Sequence, residues 1–194
     1  MTLDEEDCNL SEDETTKFKN QINPGSCTGF LLSETVYITM AHCFTSEYIN
    51  SDEIDKIQKI NIRKKKIVFN YFQNKNGTKI KIPKKNIYSI KKILDLNYKY
   101  GFSDYAVLEL DRPFPQKVDI AFEKVTKSKI GDRLVMIGSP LGLPVKVTDN
   151  GKIISEIGEG RYGSDLDAFS GNSGSMVYNL DTQEVVGLLE RGTA

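Results

Sequence analysis

The chain has 194 residues, 39% of them hydrophobic and 27% charged, and a formal net charge of −1. That is enough chain to bury a real core as one domain or as one compact pair of small halves, and no run approaches the roughly 18 apolar residues of a membrane span. His42 is the only histidine and there are three cysteines, so chemistry needing two imidazoles is excluded.

Residues 1–24 are polar and acidic, with seven acids and no base in the first sixteen, and end in Asn23-Pro24-Gly25. They read as an acidic leader or propeptide remnant that meets the fold at a turn. The start, MTLDEEDCNL, has neither the basic end nor the apolar stretch of a signal peptide, so a targeting segment is expected to be absent or already removed.

Strand signals follow at 28-TGFLLS-33, 35-TVYITM-40, 59-KINIRKK-65, 66-KIVFNYF-72, 78-TKIKIP-83, 105-YAVLEL-110, 133-RLVMIG-138, 144-PVKVTD-149, 152-KIISEI-157, 175-SMVYNL-180 and 184-EVVGLLE-190. Asn76-Gly77, Asn150-Gly151 and Asp181-Thr182 are turn signals suited to hairpins. Only 51-SDEIDKIQ-58 looks helical, with Ser51 as N-cap and acids in its first turn. About ten strands with short links favour an all-β barrel or sandwich over a parallel sheet, which needs crossover helices. The segment 111–127, with two prolines and weak periodicity, is the expected linker between halves 25–115 and 116–194.

Residues 56–92 carry thirteen Lys or Arg and no acid. One reading is an anionic partner such as nucleic acid or a membrane. The other is a solvated strand face, because Ile60, Ile62, Ile67, Phe69, Ile80 and Ile82 alternate with the lysines. Charge runs are mostly surface, which favours the second.

The sharpest local signal is 167-DAFSGNSGS-175. Gly171 and Gly174 flank Ser173 and let the backbone turn tightly, so that successive amides can converge on one point. A serine needs a positioned base to act as a nucleophile, and His42 in 39-TMAHCF-44 is the only imidazole. That base needs an anion to hold its tautomer. In 103-SDYAVLEL-110, burial of Ala106 would fix Asp104 at the start of a strand. Taken singly, each residue has a structural reading: a capping serine in a Gly-rich turn, a core histidine, a strand cap.

Together the segments TMAHCF, DYAVLEL and GNSGS, in the order His, Asp, Ser, resemble the trypsin-like, chymotrypsin-fold serine peptidases. The resemblance extends to 27-CTGFLLS-33, 130-IGDRLVMIGSPLGLPVK-146 and 184-EVVGLLERG-192, and looks closest to bacterial trypsin-like and V8-like members. It implies two six-stranded-type antiparallel β-barrels with the active site in the cleft between them: His42 and Asp104 from the first, Ser173 from the second. It implies an oxyanion hole from the amides of Gly171 and Ser173. It also pairs Cys27 with Cys43, a disulfide worth about 3 kcal/mol in the chain-entropy picture, and hence a secreted or periplasmic protein. No cofactor, metal, nucleic-acid or membrane partner is expected, and the substrate is a protein or peptide.

Four departures qualify the resemblance. Asn172 replaces the aspartate that receives the new N-terminus in animal members. Met40 and Met176 stand where Ala and Pro are usual, which is expected to cause repacking rather than loss of activity. The chain stops at Ala194, where members usually continue with a strand and a helix, so either part of the pocket wall is missing or a tail has been removed. Around the P1 pocket the candidates are Asp167, Ala168, Glu190, Arg191 and Gly192. Asp167 implies a basic P1 residue unless Arg191 pairs with it, and Glu190 is the competing partner for Arg191. An acidic P1, as in V8-like members, is the rival preference. The rival functions are a catalytically inactive binding protein on the same fold and a lysine-rich module for anionic surfaces.

Overall fold

The structure, a computed structural model, describes residues 2–3, 25–45, 65–73, 80–122, 128–158 and 160–192. The helix expected at 51–58, the Asn76-Gly77 turn and nearly all of the strand expected at 59–65 lie outside these residues. Within them the chain is all-β. The strands are β1 (Thr2–Leu3), β2 (Gly29–Leu31), β3 (Val36–Thr39), β4 (Lys66–Val68), β5 (Ile80–Lys81), β6 (Ile87–Lys99), β7 (Ser103–Leu110), β8 (Arg133–Gly138), β9 (Lys146–Gly158), β10 (Arg161–Ser164), β11 (Met176–Asn179) and β12 (Glu184–Leu188).

They form two five-stranded antiparallel sheets, in the orders β2-β3-β7-β6-β4 and β10-β9-β8-β11-β12, and a small β1-β5 pair. Each sheet curls into a half-barrel, and one long strand does the curling in each. β6 pairs with β4 through Ile87 to Ser89 and with β7 from Ile90 onwards, with register shifts between Ile90 and Lys92 and between Ile93 and Asp95. β9 pairs with β8 up to Lys152 and with β10 from Ile153. An extra residue in one strand bends it and raises its twist, which lets a single strand serve two neighbours.

Both long strands depart from the sequence expectation. The Asn150-Gly151 signal marks no hairpin. Asn150 adopts a left-handed φ of 62° inside β9, where the register against β8 shifts between Leu134 and Met136. β6 carried no strand signal because its buried residues, Tyr88, Ile90, Ile93 and Leu96, fall at intervals of two, three and three. The register shifts destroy the period-two alternation that identifies a strand.

The first half-barrel is filled from β3, β6 and β7, with Leu96, Ala106 and Leu108 fully buried at its centre. The second is built on Leu134, Met136, Ile153, Leu166 and Val177. Its β11-β12 hairpin is shaped by a buried amide. Asn179 Nδ2 donates to Asp132 at 2.9 Å, while its Oδ1 accepts from the amides of Asp181 at 2.8 Å and Thr182 at 3.2 Å. Asp181 then accepts from the backbone of Arg133 at 2.7 Å and from its guanidinium at 3.0 and 2.8 Å.

The described part of the Pro-containing segment touches both halves. The amide of Phe114 donates to Glu34 O at 2.6 Å, and Ala121 O accepts from Val185 N at 2.8 Å. Among the described cations of the lysine-rich region, Lys66 donates to Ser89 and Lys91 pairs with Glu109.

Leu108→Ala removes side-chain volume where no solvent reaches, and is expected to cost about 2–5 kcal/mol in denaturant unfolding. Acid weakens the hairpin in a defined sense. Hydrogen bonds from the Arg133 side chain, then its backbone, hold the Asp181 carboxyl below the usual carboxylate range. The stability it adds is present above the unfolded-state value and is lost as pH falls through the lowered one. Asp181→Asn is expected to lower Tm at neutral pH and to flatten its decline in acid.

Candidate active site

β3 ends at Thr39, and the chain turns through one short 3-10 helical turn, Ala41–Cys43. The first amides of a helical turn have no acceptor within it. Here those of Ala41 and His42 donate to Asp104 Oδ1, at 2.7 and 3.1 Å. The other carboxylate oxygen, Oδ2, lies 2.5 Å from His42 Nδ1. Asp104 sits at the second position of β7, with its side chain only 4% exposed. A buried carboxylate left unpaired would be costly, and three donors satisfy this one. A carboxylate facing Nδ1 engages that nitrogen and leaves Nε2 as the ring's other nitrogen, on a side chain that is 32% exposed. Tyr98, directly across from Asp104 on β6, packs its ring 6.5 Å from the imidazole.

Ser173 comes from the other half-barrel, in the turn before β11. Gly171 and Gly174 both have a φ of 87°, a region that strains any residue with a side chain. They also lack room: a Cβ on Gly174 would lie 2.2 Å from Thr28 O, and one on Gly171 would lie 2.7 Å from Leu141 N. Within this loop the amide of Asn172 donates to Phe169 O, Gly174 to Leu189 O, and Ser175 to Asn172 O. The amides of Gly171 and Ser173 have no such acceptor among the described residues, so the loop leaves two alternate N–H groups unpaired.

Thr28, which the sequence did not single out, joins the two halves of this arrangement. Its amide donates to Ser173 O at 2.9 Å. Its hydroxyl donates to Gly171 O at 2.8 Å and accepts from Ser139 N at 2.9 Å. Its carbonyl accepts from the Thr39 hydroxyl at 2.5 Å. The residue before it, Cys27, is disulfide-bonded to Cys43, the neighbour of His42. The nucleophile loop and the imidazole are therefore fixed to one short piece of chain. Among the described residues no hydrogen bond joins Ser173 to His42, and in resting sites of this chemistry that bond is often long and tightens with substrate.

Cys27, His42 and Cys43 bring ligand-type atoms within 4.8 Å of one another. They do not make a metal centre, because the two sulfurs are bonded to each other rather than present as thiolates, and His42 Nδ1 is engaged by Asp104.

The P1-pocket candidates divide into two groups. Ala168 and Gly192 face each other, since a Cβ on Gly192 would lie 3.6 Å from that of Ala168. Asp167 is exposed at the edge of this pair. Arg191 does not pair with Asp167. It bonds Glu190 through Nε at 3.1 Å and through Nη2, and its guanidinium stacks 4.3 Å from the Tyr100 ring centroid.

Thr28→Val keeps the shape but deletes the hydroxyl, leaving Ser139 N and Gly171 O without it. The expected loss is about 1–3 kcal/mol of stability, with a fall in reactivity at Ser173 larger than the fraction unfolded explains. Chemical denaturation beside active-site labelling separates the two effects.

Comparisons with known proteins identify the family and the fold. A curated relative, described as a probable periplasmic serine endoprotease, DegP-like, from Brucella suis biovar 1 (strain 1330), is 35% identical over 94 residues, spanning 44% of this chain and 18% of its own length. Its counterpart from Brucella abortus biovar 1 (strain 9-941) matches to the same extent. The chain thus spans about a fifth of the length of the curated relatives it matches. Among solved structures, the inactive form of a serine-to-alanine mutant of Rv3671c from M. tuberculosis H37Rv aligns with a TM-score of 0.52 at 16% identity, covering 86% of this chain and 70% of that one. That likeness establishes the fold, the chymotrypsin-like pair of β-barrels. Residues 27–188 match the family described as the trypsin-like peptidase domain, which is most of the chain, and the protein belongs to that family.

Proposed function

We propose that the protein is a serine endopeptidase that hydrolyses protein or peptide substrates through an acyl-enzyme, with Ser173 as nucleophile, His42 as general base and acid, and Asp104 orienting His42. The observation that carries this reading is the bonding of Asp104. Two backbone amides hold its Oδ1 while Oδ2 faces His42 Nδ1, which orients the ring and leaves Nε2 as the nitrogen that can serve a serine hydroxyl.

Ser173 Oγ attacks the scissile carbonyl carbon as its proton passes to His42 Nε2. Asp104 then faces an imidazolium, whose charge it stabilises. The carbonyl oxygen becomes an anion and takes the unpaired N–H groups of Gly171 and Ser173, each worth roughly 3 kcal/mol in comparable sites. His42 returns the proton to the leaving amine as the C–N bond breaks. Water repeats the sequence on the acyl-enzyme, and Ser173 is regenerated.

A basic P1 residue is the preferred specificity. Asp167 supplies the charge, and Arg191, the cation that could neutralise it, is held by Glu190. Activation by a new N-terminus paired with a carboxylate does not suit this loop, because Asn172 is an amide, 2% exposed, that accepts from Ser175 Oγ at 3.3 Å. The disulfide and the periplasmic description of the Brucella relatives support a secreted or periplasmic location. Among the described residues no helix is long and apolar enough to cross a membrane.

A fluorophosphonate is expected to modify Ser173 in the folded wild type and to leave Ser173→Ala unlabelled. On a mixed peptide library the mutant should cut nothing, and cleavage surviving in it would rule out the mechanism. Asp104→Asn should lower kcat by about 10⁴-fold, as loss of the correct tautomer does in such sites. With one imidazole in the chain, kcat/KM should fall on the acid side along a single-proton curve, because protonated His42 cannot accept from Ser173.

A further inference from the structure

Arg191 lies just beyond β12 in the second half-barrel, and Tyr100 lies in the turn between β6 and β7 in the first, four residues before Asp104. Their stacking contact at 4.3 Å joins the two halves, and Tyr100 opens the turn that leads into the strand carrying Asp104. The guanidinium is thereby held on two sides. Glu190 occupies the edge formed by Nε and Nη2, and the Tyr100 ring covers one face.

An arginine has five N–H donors in a rigid fork, and Glu190 uses one edge of it. No second carboxylate pairs with Arg191 among the described residues, so the Nη1 and Nη2 edge has no ion-pair partner there. In the same turn as Tyr100, Lys99 stacks over Phe102 at 4.6 Å. Arg191 is 42% exposed and Tyr100 59%, so both can reach a bound chain. A guanidinium already held in one geometry loses little further freedom when it binds, which favours a bidentate carboxylate partner.

We propose that Arg191 is a specificity-determining residue that takes an aspartate or glutamate side chain of the substrate at a position outside the P1 pocket, with Tyr100 as the platform that aims it. The proposal rests on the peptidase reading and refines its substrate class to acidic segments of protein chains. Glu190 is the built-in anchor of the clamp.

The test is positional scanning with internally quenched peptides, each rate normalised to the active-site titre from fluorophosphonate labelling. At one position other than P1, wild type should prefer Asp or Glu over Asn or Gln by about tenfold, the scale of a single charge-assisted pair. That preference should shrink with salt, collapse towards parity in Arg191→Gln, persist in part in Arg191→Lys, and turn towards Lys in Arg191→Glu. A merely structural clasp would change titre or stability and leave the acidic-to-neutral ratio within each variant unmoved. The proposal is overturned if wild type shows no acid preference, if the variants keep it, or if it appears only at P1. Labelled Ser173 with cleavage but without the preference sinks this inference alone, whereas absence of labelling sinks the peptidase reading and this inference with it.

Discussion

The arrangement depends on the contacts made by one threonine. Thr28 lies just before the first strand of the N-terminal half-barrel, yet its amide and hydroxyl reach Ser173 O, Gly171 O and Ser139 N, all in the other half. A site assembled from two sheets has a problem that a site on one sheet does not. Each sheet's ladder fixes its own strands and says nothing about the distance between them. Hydrogen bonds that cross between the halves at the nucleophile loop address that problem directly. The disulfide continues the constraint, because it fastens the residue before Thr28 to the residue after His42. The Ser173 loop and His42 are referenced to the same point.

The space around Thr28 explains the glycines. Gly174 passes so close to Thr28 O that a Cβ would overlap it, and Thr39 reaches that same oxygen with its hydroxyl. Close approach and left-handed φ therefore have a single cause, the need to bring the Ser173 backbone within hydrogen-bonding range of another sheet. The same conformation gives the amides of Asn172 and Ser175 acceptors within the loop and that of Gly174 the carbonyl of Leu189, and gives those of Gly171 and Ser173 none among the described residues. Anchoring the loop and leaving those two amides without such an acceptor are thus consequences of one backbone path.

What the sequence revealed, and what it hid, follows from these contacts. The proposed triad was legible because its chemistry demands particular residue types beside particular strand ends, and the fold class was legible from alternation and turn residues. Thr28 was not, because a threonine next to a cysteine has no periodicity or charge to mark it, and its partners are more than a hundred residues away. β6 was missed for a different reason. Its two register shifts move Ile93 and Leu96 onto the buried face at intervals of three, which mimics no strand. Asn150-Gly151 misled for a related one, since a left-handed asparagine serves a bulge as well as a tight turn. Arg191 left two pairings open, with Asp167 or with Glu190, and only three-dimensional packing could choose between them.

That choice separates two kinds of residue in the cleft. Asp104 is 4% exposed and is held by backbone amides, so its position is a property of the main chain and changes only if the fold does. Arg191 is 42% exposed and is held by two other side chains, so a substitution at position 100, 190 or 191 can re-aim or erase its charge without touching any ladder hydrogen bond. On the proposed reading, the group that must meet the same geometry for every substrate has the first kind of support, and the group proposed to discriminate between substrates has the second, where solvent screens each contact. A two-barrel peptidase can in this way keep one proton-transfer apparatus while the mouth of its cleft is rewritten residue by residue.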